Sequence, residues 1–237
     1  MHLRQLVPAP MRLRYKLMKR HWADWSQRSN WQFARSQQAI PVWPQRLELQ
    51  QPVRQSTHFE NKQHNIRLGF SRIGQVVIQP GQLFSFWKIV GPPTAQNGFR
   101  KGRNLLNGQL TVDYGGGLCQ LSGMIYYLAL QAGFDILERY NHSLDIYTDE
   151  TRFAPLGSDA TVVYGYKDLR FMNTTSCAVR FSFKLDERGL HGAIHAPEKL
   201  KQQSIHFLSS ATANECVLVE TKTSSGQLLA TSTYRLL

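Results

Sequence analysis

The clearest hydrophobic pattern in the chain begins after three consecutive glycines, residues 115–117. Apolar side chains then recur at the three- and four-residue spacing of one helix face, and most of the remaining positions are apolar too. A helix that is apolar on most sides is buried, and Gly133 is a suitable residue to end it. The periodic face consists of Leu121, Met124, Ile125, Leu128 and Ala132. We therefore predict a central buried helix that starts at a glycine-rich turn.

After this helix the pattern changes to short segments rich in branched and aromatic residues, which favour strands. The segments are DILERY, HSLDIYT, DATVVYGY, FMNTT, AVRFSFKLD and LHGAIH. Two further apolar stretches, SIHFLS and CVLVETKT, indicate a terminal hairpin. A central helix followed by a run of strands indicates an α+β fold in which the helix packs on an antiparallel sheet.

The segments between the N-terminal region and the glycines are more varied. Residues 64–75 are expected to be helical, and VVIQPGQLFSF is expected to form two strands joined by a Pro-Gly turn. Residues 91–110 are rich in turn-forming residues and carry only short extended pieces.

The N-terminal region differs in composition from the rest of the chain. Residues 11–38 favour helix, and the prolines within residues 40–58 indicate a linker. We therefore divide the chain into a basic, Trp-rich helical segment with its linker, residues 1–58, and a main domain, residues 59–237.

Positive charge is concentrated in this N-terminal region. The net charge of the chain is +12, and residues 1–54 hold ten Lys and Arg residues against Asp24 and Glu48. Such a segment can lie on an anionic membrane surface or on nucleic acid, but we favour a helix whose aromatic face docks on the main domain. The absence of a known nucleic-acid-binding motif argues against nucleic acid as a partner. The interleaved tryptophans are Trp22, Trp25, Trp31 and Trp43.

Several classes of protein are disfavoured by the composition. No stretch approaches the roughly 18 apolar residues of a membrane-spanning helix, and the basic N-terminus lacks the apolar core of a signal peptide. We therefore expect a cytoplasmic protein, with peripheral membrane contact through the N-terminal segment as an alternative. The three cysteines have no paired spacing, and HGAIH lacks a third ligand, so no disulfide framework, metal site or cofactor is expected.

One cysteine is positioned for chemistry. Cys119 follows the glycines at the start of the predicted helix, where unpaired N–H groups and the helix dipole stabilise a thiolate. The backbone N–H groups of Gly117 and Cys119 are candidates to bind an oxyanion. A buried cysteine can also be an inert small apolar residue. The candidate oxyanion- or substrate-binding residues are Gly115, Gly116, Gly117, Gln120, Ser122, Arg139 and Ser143.

A nucleophilic thiol needs a base and a group that orients the base. His142 lies in the predicted strand after the helix, and Asp159 opens the next one. Because adjacent strands lie about 4.8 Å apart, contact between these two side chains is feasible. Asp145 or Asp113 could replace Asp159. The residues therefore indicate a catalytic Cys119, His142 and Asp159 in a papain-like order.

Several blocks of the sequence resemble a known family. They are HNIRLGFSRIGQVVIQPGQLFSFWKIVGPPTAQNGF, YGGGLCQLSGMIYYLALQAGFDILERYNHS, PLGSDATV and YGYKDLRFMNTT. These blocks, within residues 64–186, resemble the VanW family, named for a protein of B-type vancomycin-resistance clusters. The chain departs from the family pattern at Trp87, where asparagine is expected, and at Gly123-Met124, where two threonines are expected.

The VanW resemblance implies a link to the cell envelope or to glycopeptide resistance, and it suggests a peptide or cell-wall precursor as substrate. The order of Cys119, Arg139, His142 and Asp159 also resembles the core of transglutaminase-like thiol enzymes. That second resemblance implies a thiol-dependent acyl-transfer or amide-hydrolysing enzyme. The alternative is a non-catalytic module that binds a peptide or glycan and packs Cys119 inertly.

Overall fold

The computed structural model describes residues 7–27, 30–55, 57–106, 109–145, 154–212 and 216–236. Four helices are present in these ranges: α1 (Ala9–Ser26), α2 (Phe59–Ile73), α3 (Phe86–Val90) and α4 (Leu118–Gln131). The strands of the first half are β1 (Gln32–Phe33), β2 (Gln45–Gln51), β3 (Val77–Ile78), β4 (Gln82–Ser85), β5 (Lys101–Leu106) and β6 (Gln109–Tyr114). The strands of the second half are β7 (Asp135–Glu138), β8 (Leu144–Asp145), β9 (Arg170–Met172), β10 (Val179–Asp186), β11 (Gly189–His195), β12 (Ile205–Thr212), β13 (Cys216–Thr223) and β14 (Leu228–Leu236).

The fold is a mixed α+β arrangement with several mainly antiparallel sheets. One sheet has the order β2-β11-β10-β3, a second β1-β4-β9-β7 and a third β12-β13-β14-β8, while β5 and β6 form a hairpin. Parallel pairing occurs between β1 and β4 and between β14 and β8. The strands AVRFSFKLD and LHGAIH and the hairpin of β12 and β13 occur as the sequence predicts.

Helix α4 lies at the centre of the core, because its residues have almost no polar face. Leu121, Met124, Ile125 and Leu128 are completely buried. Gly192 of β11 makes room for the helix, since a Cβ atom there would lie 2.5 Å from the Met124 sulfur. The helix ends as predicted, with Gly133 in a left-handed conformation at φ 72°.

Several predictions for the first half of the chain are wrong. The N-terminal helix ends at Ser26 and is followed by strand β1, and the predicted linker contains strand β2, whose Leu47 is buried in the core. Tertiary pairing overrides local composition here, because β2 adds to β11 in register. The strands around the Pro-Gly turn do not pair with each other, since β3 pairs with β10 and β4 pairs with β9.

Helix α1 docks on the main domain through buried ion pairs. Asp24 accepts a hydrogen bond of 2.7 Å from Arg170 and lies 2.9 Å from the Lys88 ammonium. Arg20 pairs with Glu138 one turn earlier. The segment therefore docks on the main domain as predicted, but the prediction that its aromatic face makes the contact is wrong, since Trp22 and Trp25 are 68% and 52% exposed. Within the described ranges, every helix is too short or too polar to cross a membrane.

Candidate active site

The glycine turn, residues 115–117, places Cys119 at the beginning of α4. Gly115 and Gly117 have φ angles of 85° and 102°, which glycine adopts without strain. Gly116 packs against the backbone of Gly102, since a Cβ atom on Gly116 would lie 2.6 Å from the Gly102 carbonyl carbon. Because α4 begins at Leu118, Cys119 lies in its first turn, where the helix dipole favours a negative charge.

We expect Gly116→Ala to lower the free energy of unfolding by about 1–3 kcal/mol, because backbone atoms must move to accept the methyl group. Gly123→Ala in α4 is the matched control, since a Cβ atom there would meet its nearest neighbour at 3.5 Å. Alanine favours helix by about 1 kcal/mol over glycine, so the control should be neutral or stabilising. Urea unfolding measures both variants, and equal destabilisation would contradict the tight contact.

His142 is held by Asp159 through two hydrogen bonds. The His142 ring Nδ1 lies 2.6 Å from Asp159 Oδ2, and the His142 backbone N–H donates to the same oxygen at 2.7 Å. Cys119 acts on the same ring, since Cys119 and His142 each shift the pKa of the other, while the thiol itself donates to the Val162 carbonyl at 3.8 Å. The three side chains therefore interact in sequence, from thiol to imidazole to carboxylate.

Asp159 is in turn held by an arginine and a tyrosine whose contacts with it no sequence pattern predicts. Arg139 donates to Asp159 Oδ1 at 2.9 Å, and the Tyr234 hydroxyl donates to the same oxygen at 2.5 Å. The Arg139 side chain is only 6% exposed and also donates to the Gly157 carbonyl and to Ser232. This network fixes the orientation of the carboxylate towards His142.

The segment of Asp159 is attached to α4 by side-chain contacts. Ser122 is completely buried and donates to the Ala160 carbonyl at 2.6 Å. The Cys119 thiol points at the Val162 carbonyl at 3.8 Å. Cys119 and Ser122, one helical turn apart on α4, thus both bind backbone carbonyls of the segment that carries Asp159. These contacts fix the position of Asp159 relative to α4.

The electrostatics of the three residues favour a thiolate and an imidazolium. Burial alone would raise the pKa of Cys119, but the hydrogen bond and charge of His142 outweigh it, and the pKa is lowered. Burial would lower the pKa of His142, yet Asp159 and Cys119 raise it to about 10. The pKa of Asp159 falls to about 2, because His142, Arg139 and Tyr234 outweigh its burial. A thiolate beside an imidazolium is the reactive form of a cysteine.

The pKa shifts of Cys119 and His142 act in opposite directions on stability. The lowered Cys119 pKa contributes fully above its ordinary value of 9.0, and this contribution is lost as the pH falls. The raised His142 pKa contributes fully below its ordinary value of 6.5, and this contribution is lost as the pH rises towards about 10. Between pH 6.5 and 9.0 the two slopes oppose each other.

We therefore expect the wild-type free energy of unfolding to change little just below pH 9.0, where both groups titrate. Cys119→Ala should lose stability as the pH rises through this range, by at most about 1.4 kcal/mol per pH unit. Urea unfolding at several pH values measures this slope. Cys177→Ala, which removes another buried thiol, is the control and should keep the plateau. A wild-type slope equal to that of Cys119→Ala would contradict the ion pair.

Two backbone N–H groups face outward at the same turn. Within the described ranges, those of Gly117 and Cys119 donate no hydrogen bond. The turn is anchored by the buried Asn65, which donates to the Gly116 carbonyl at 3.0 Å and also binds Arg100. Free N–H groups at a rigid helix N-terminus are suited to bind an oxyanion.

The remaining predicted residues lie around the site but not all within reach of a substrate. Gln120 donates to the Pro52 carbonyl at 2.9 Å, and Ser143 is exposed, with its carbonyl bound to β14. The Ser122 and Arg139 side chains are buried and form hydrogen bonds with the Asp159 segment. Their contact with a substrate stays a prediction.

The predicted strands for His142 and Asp159 are wrong, whereas Cys119 lies at the start of the helix as predicted. His142 precedes the short strand β8, and Asp159 lies in a segment without regular structure. Of the competing carboxylates, Asp113 is exposed and accepts from the Tyr114 N–H. The Asp145 side chain and the rest of the HSLDIYT segment, residues 146–148, lie outside what the structure describes.

A cleft of about 800 Å³ lies elsewhere, beneath α1. Its walls include Trp22, Trp87, Tyr164 and Arg170. Neither Cys119 nor its two partners line it, so the cleft is separate from the thiol site.

The fold and the site together define an α+β protein in which a cysteine at the start of a buried helix interacts with a histidine that an aspartate holds. A sequence profile described as "VanW like protein" matches residues 61–195, which is more than half of the chain. The chain therefore belongs to the VanW-like protein family. No solved structure matches it.

Two curated relatives extend this comparison. The chain is 30% identical over 140 residues to the Vancomycin B-type resistance protein VanW of Enterococcus faecalis (strain ATCC 700802 / V583), covering 59% of this chain and 51% of the relative. It is 35% identical over 114 residues to the Uncharacterized protein YoaR of Bacillus subtilis (strain 168), covering 48% of this chain and 36% of the relative. The chain thus spans about half of the first relative and about a third of the second.

Proposed function

We propose that this protein is a thiol-dependent enzyme that hydrolyses an amide or transfers an acyl group, with Cys119 as nucleophile. The observation that carries the proposal is that Asp159 holds His142 Nδ1 at 2.6 Å while His142 and the Cys119 thiol shift each other's pKa. A nucleophile, a base and an orienting carboxylate are the parts that acyl transfer by a thiol requires. The order of these residues is that of papain-like and transglutaminase-like enzymes.

In this mechanism the thiolate of Cys119 attacks the substrate carbonyl carbon and forms a carbon–sulfur bond. The carbonyl electron pair moves to the oxygen, which accepts hydrogen bonds from the N–H groups of Gly117 and Cys119. When the carbon–oxygen double bond reforms, the carbon–nitrogen bond breaks, and imidazolium His142 gives its proton to the leaving amine. Water or an acceptor amine then attacks the thioester, and His142 takes its proton and restores the thiolate.

The substrate class follows from chemistry and from the printed name of one relative. Attack by a thiol requires an amide or ester carbonyl, and the VanW protein of Enterococcus faecalis is named for vancomycin resistance. We propose a peptide of the cell-wall precursor type as the substrate, and glycopeptide resistance as the process. The chain matches about half of that relative, so both statements concern the shared region alone.

The test compares wild type with Cys119→Ala on peptides and cell-wall precursors, with products read by mass spectrometry. We expect loss of a nucleophile to reduce turnover by roughly 10⁴-fold or more. Cys216→Ala, which removes a half-buried thiol on β13, is the matched control and should keep full turnover. A product that both wild type and Cys119→Ala form at equal rates would remove Cys119 from the mechanism.

A further inference from the structure

Helix α1 carries two stripes of side chains on opposite faces. The inner stripe includes Leu13 and Leu17, which pack against Gly165, since a Cβ atom on that glycine would lie 2.4 Å and 3.5 Å from their Cδ atoms. Arg20 and Asp24 continue this stripe and form the ion pairs with the main domain. Because a spacing of four, three and four residues keeps side chains on one face, the inner stripe is the docked side of α1.

The outer stripe repeats the same spacing two residues earlier in the chain. Each helical residue advances about 100°, so an offset of two residues corresponds to about 200° and places this stripe opposite the docked side. Its side chains are large and apolar, and they are 52 to 68% exposed. They are Met11, Tyr15, Met18, Trp22 and Trp25. The docking of α1 therefore leaves a complete apolar face largely exposed.

The apolar surface continues from this stripe onto the main domain. Met18, Trp22 and Trp25 also line the cleft of about 800 Å³, together with Trp87 and Tyr164. The rings of Trp87 and Tyr164 pack edge to face, with centroids 5.5 Å apart. Contiguous exposed apolar surface marks a site of interaction with a protein or a membrane. The charges around the stripe distinguish between these two partners.

Cations border the outer stripe on both sides. Arg14 lies about 60° to one side of the first residue of the stripe, and Lys19 lies about 80° to the other side. Both side chains are exposed, and so is that of Lys16. The helix has one acidic residue, Asp24, which is buried on the docked side. The apolar face is therefore bordered by positive charge, and α1 places no negative charge beside it.

An anionic bilayer fits this arrangement better than a second copy of the chain. Tryptophan beside other apolar side chains, with cations at the borders, is typical of a helix that lies in the bilayer interface. The long cationic side chains can then reach the lipid headgroups. In a symmetric dimer through the same face, the cations at both borders would meet those of the partner copy, and like charges repel.

We propose that the outer stripe of α1 lies in the interface of an anionic lipid bilayer. The ion pairs of Arg20 and Asp24 attach the helix to the main domain, so a bound bilayer would hold that domain in one orientation. The inference is independent of the thiol chemistry, because the residues of the stripe are not part of the Cys119 site.

The test is co-sedimentation of the full chain with vesicles of phosphatidylcholine, with and without phosphatidylglycerol. We expect binding to the anionic vesicles only. One cation near an anionic surface contributes a factor of about five to the affinity, so Arg14→Gln and Lys19→Gln should each weaken binding about fivefold. Lys201→Gln, which removes an exposed cation outside α1, is the matched control and should leave binding unchanged.

Insertion of the apolar side chains is measured separately. Trp22→Ser should weaken binding by about tenfold or more, because a large apolar side chain no longer leaves water. It should also reduce the quenching of tryptophan fluorescence by lipids that carry bromine on their acyl chains. Val42→Ser removes an apolar side chain that is 92% exposed outside α1, and this control should change neither quantity.

Four results would overturn the proposal. The first two are an absence of binding and equal binding to neutral vesicles. The third is binding to anionic vesicles that Trp22→Ser leaves unchanged, which would indicate attraction between charges alone. The fourth is dimerisation in analytical ultracentrifugation that Trp22→Ser abolishes, since this would assign the stripe to a second copy of the chain.

Discussion

Replacing Asp159 with alanine is expected to lower the free energy of unfolding by about 3 kcal/mol, the low end for breaking a buried charge pair. Arg139 then keeps its charge in a position that is 6% exposed, and Tyr234 loses the acceptor of its hydroxyl. The same substitution removes the group that raises the pKa of His142. Alkylation of Cys119 should therefore also slow down, by about tenfold or more near neutral pH.

The control for this substitution is Asp186→Ala. Asp186 also pairs with a histidine and a second cation, His191 at 2.9 Å and Lys184 at 2.9 Å, but these partners are 31% and 75% exposed, whereas Arg139 is 6% exposed. Surface pairs contribute little, so its loss should have a small effect on unfolding and none on Cys119. Asp159→Asn keeps the shape of the side chain but removes its charge. The difference in unfolding free energy between Asp159→Asn and Asp159→Ala therefore separates the effect of charge from that of packing. Equal destabilisation by Asp159→Ala and Asp186→Ala would contradict the network around Asp159.

Replacing His142 with glutamine is expected to have the largest effect on the reactivity of Cys119. The hydrogen bond and charge of His142 are what lower the pKa of Cys119 against its burial, so their loss leaves a buried neutral thiol. We expect the rate of alkylation by iodoacetamide below pH 6.5, the ordinary value of the His142 pKa, to fall by about tenfold or more. Mass spectrometry of the labelled peptide gives this rate.

His191→Gln is the control, because His191 also pairs with an aspartate but has no contact with a cysteine in the described part of the chain. It should leave the labelling rate of Cys119 unchanged. A His142→Gln protein that keeps its fold and labels Cys119 as fast as wild type would show that the thiol is activated by the helix alone.

The sequence carries enough information to locate α4 and Cys119, because both depend on local features. A continuous apolar helix and the glycines before it are visible within 20 or so residues, which is the range over which periodicity is reliable. The strands β10 and β11 were predictable for the same reason, since their branched and aromatic residues are contiguous. The predicted order of Cys119, His142 and Asp159 along the chain agrees with residues that are in contact.

The elements that carry His142 and Asp159 were not predictable in the same way. Branched residues in DATVVYGY favour a strand, but this segment instead lies along α4, where Ser122 binds the Ala160 carbonyl. Its backbone groups are satisfied by α4 and by Tyr140 rather than by a sheet, so local propensity fails there. Similarly, β2 pairs with β11, whose residues lie over 130 positions further along the chain.

The support of Asp159 shows a further limit of sequence-based prediction. Tyr234 and Ser232 belong to β14, 75 and 73 residues beyond Asp159, and no local pattern connects them. Their only sequence feature is alternation, since Ser232 and Tyr234 share one face of β14 and both are buried. A buried serine and tyrosine on the same face of a strand indicate a polar partner across the core, which here is Arg139.

The most direct measurement is a titration of thiolate absorbance in the ultraviolet, taken as the difference between wild type and Cys119→Ala. A thiolate paired with imidazolium predicts that Cys119 ionises well below its ordinary pKa of 9.0, and that His142→Gln moves the midpoint back up. A wild-type midpoint at or above the ordinary value would contradict an activated thiol at Cys119.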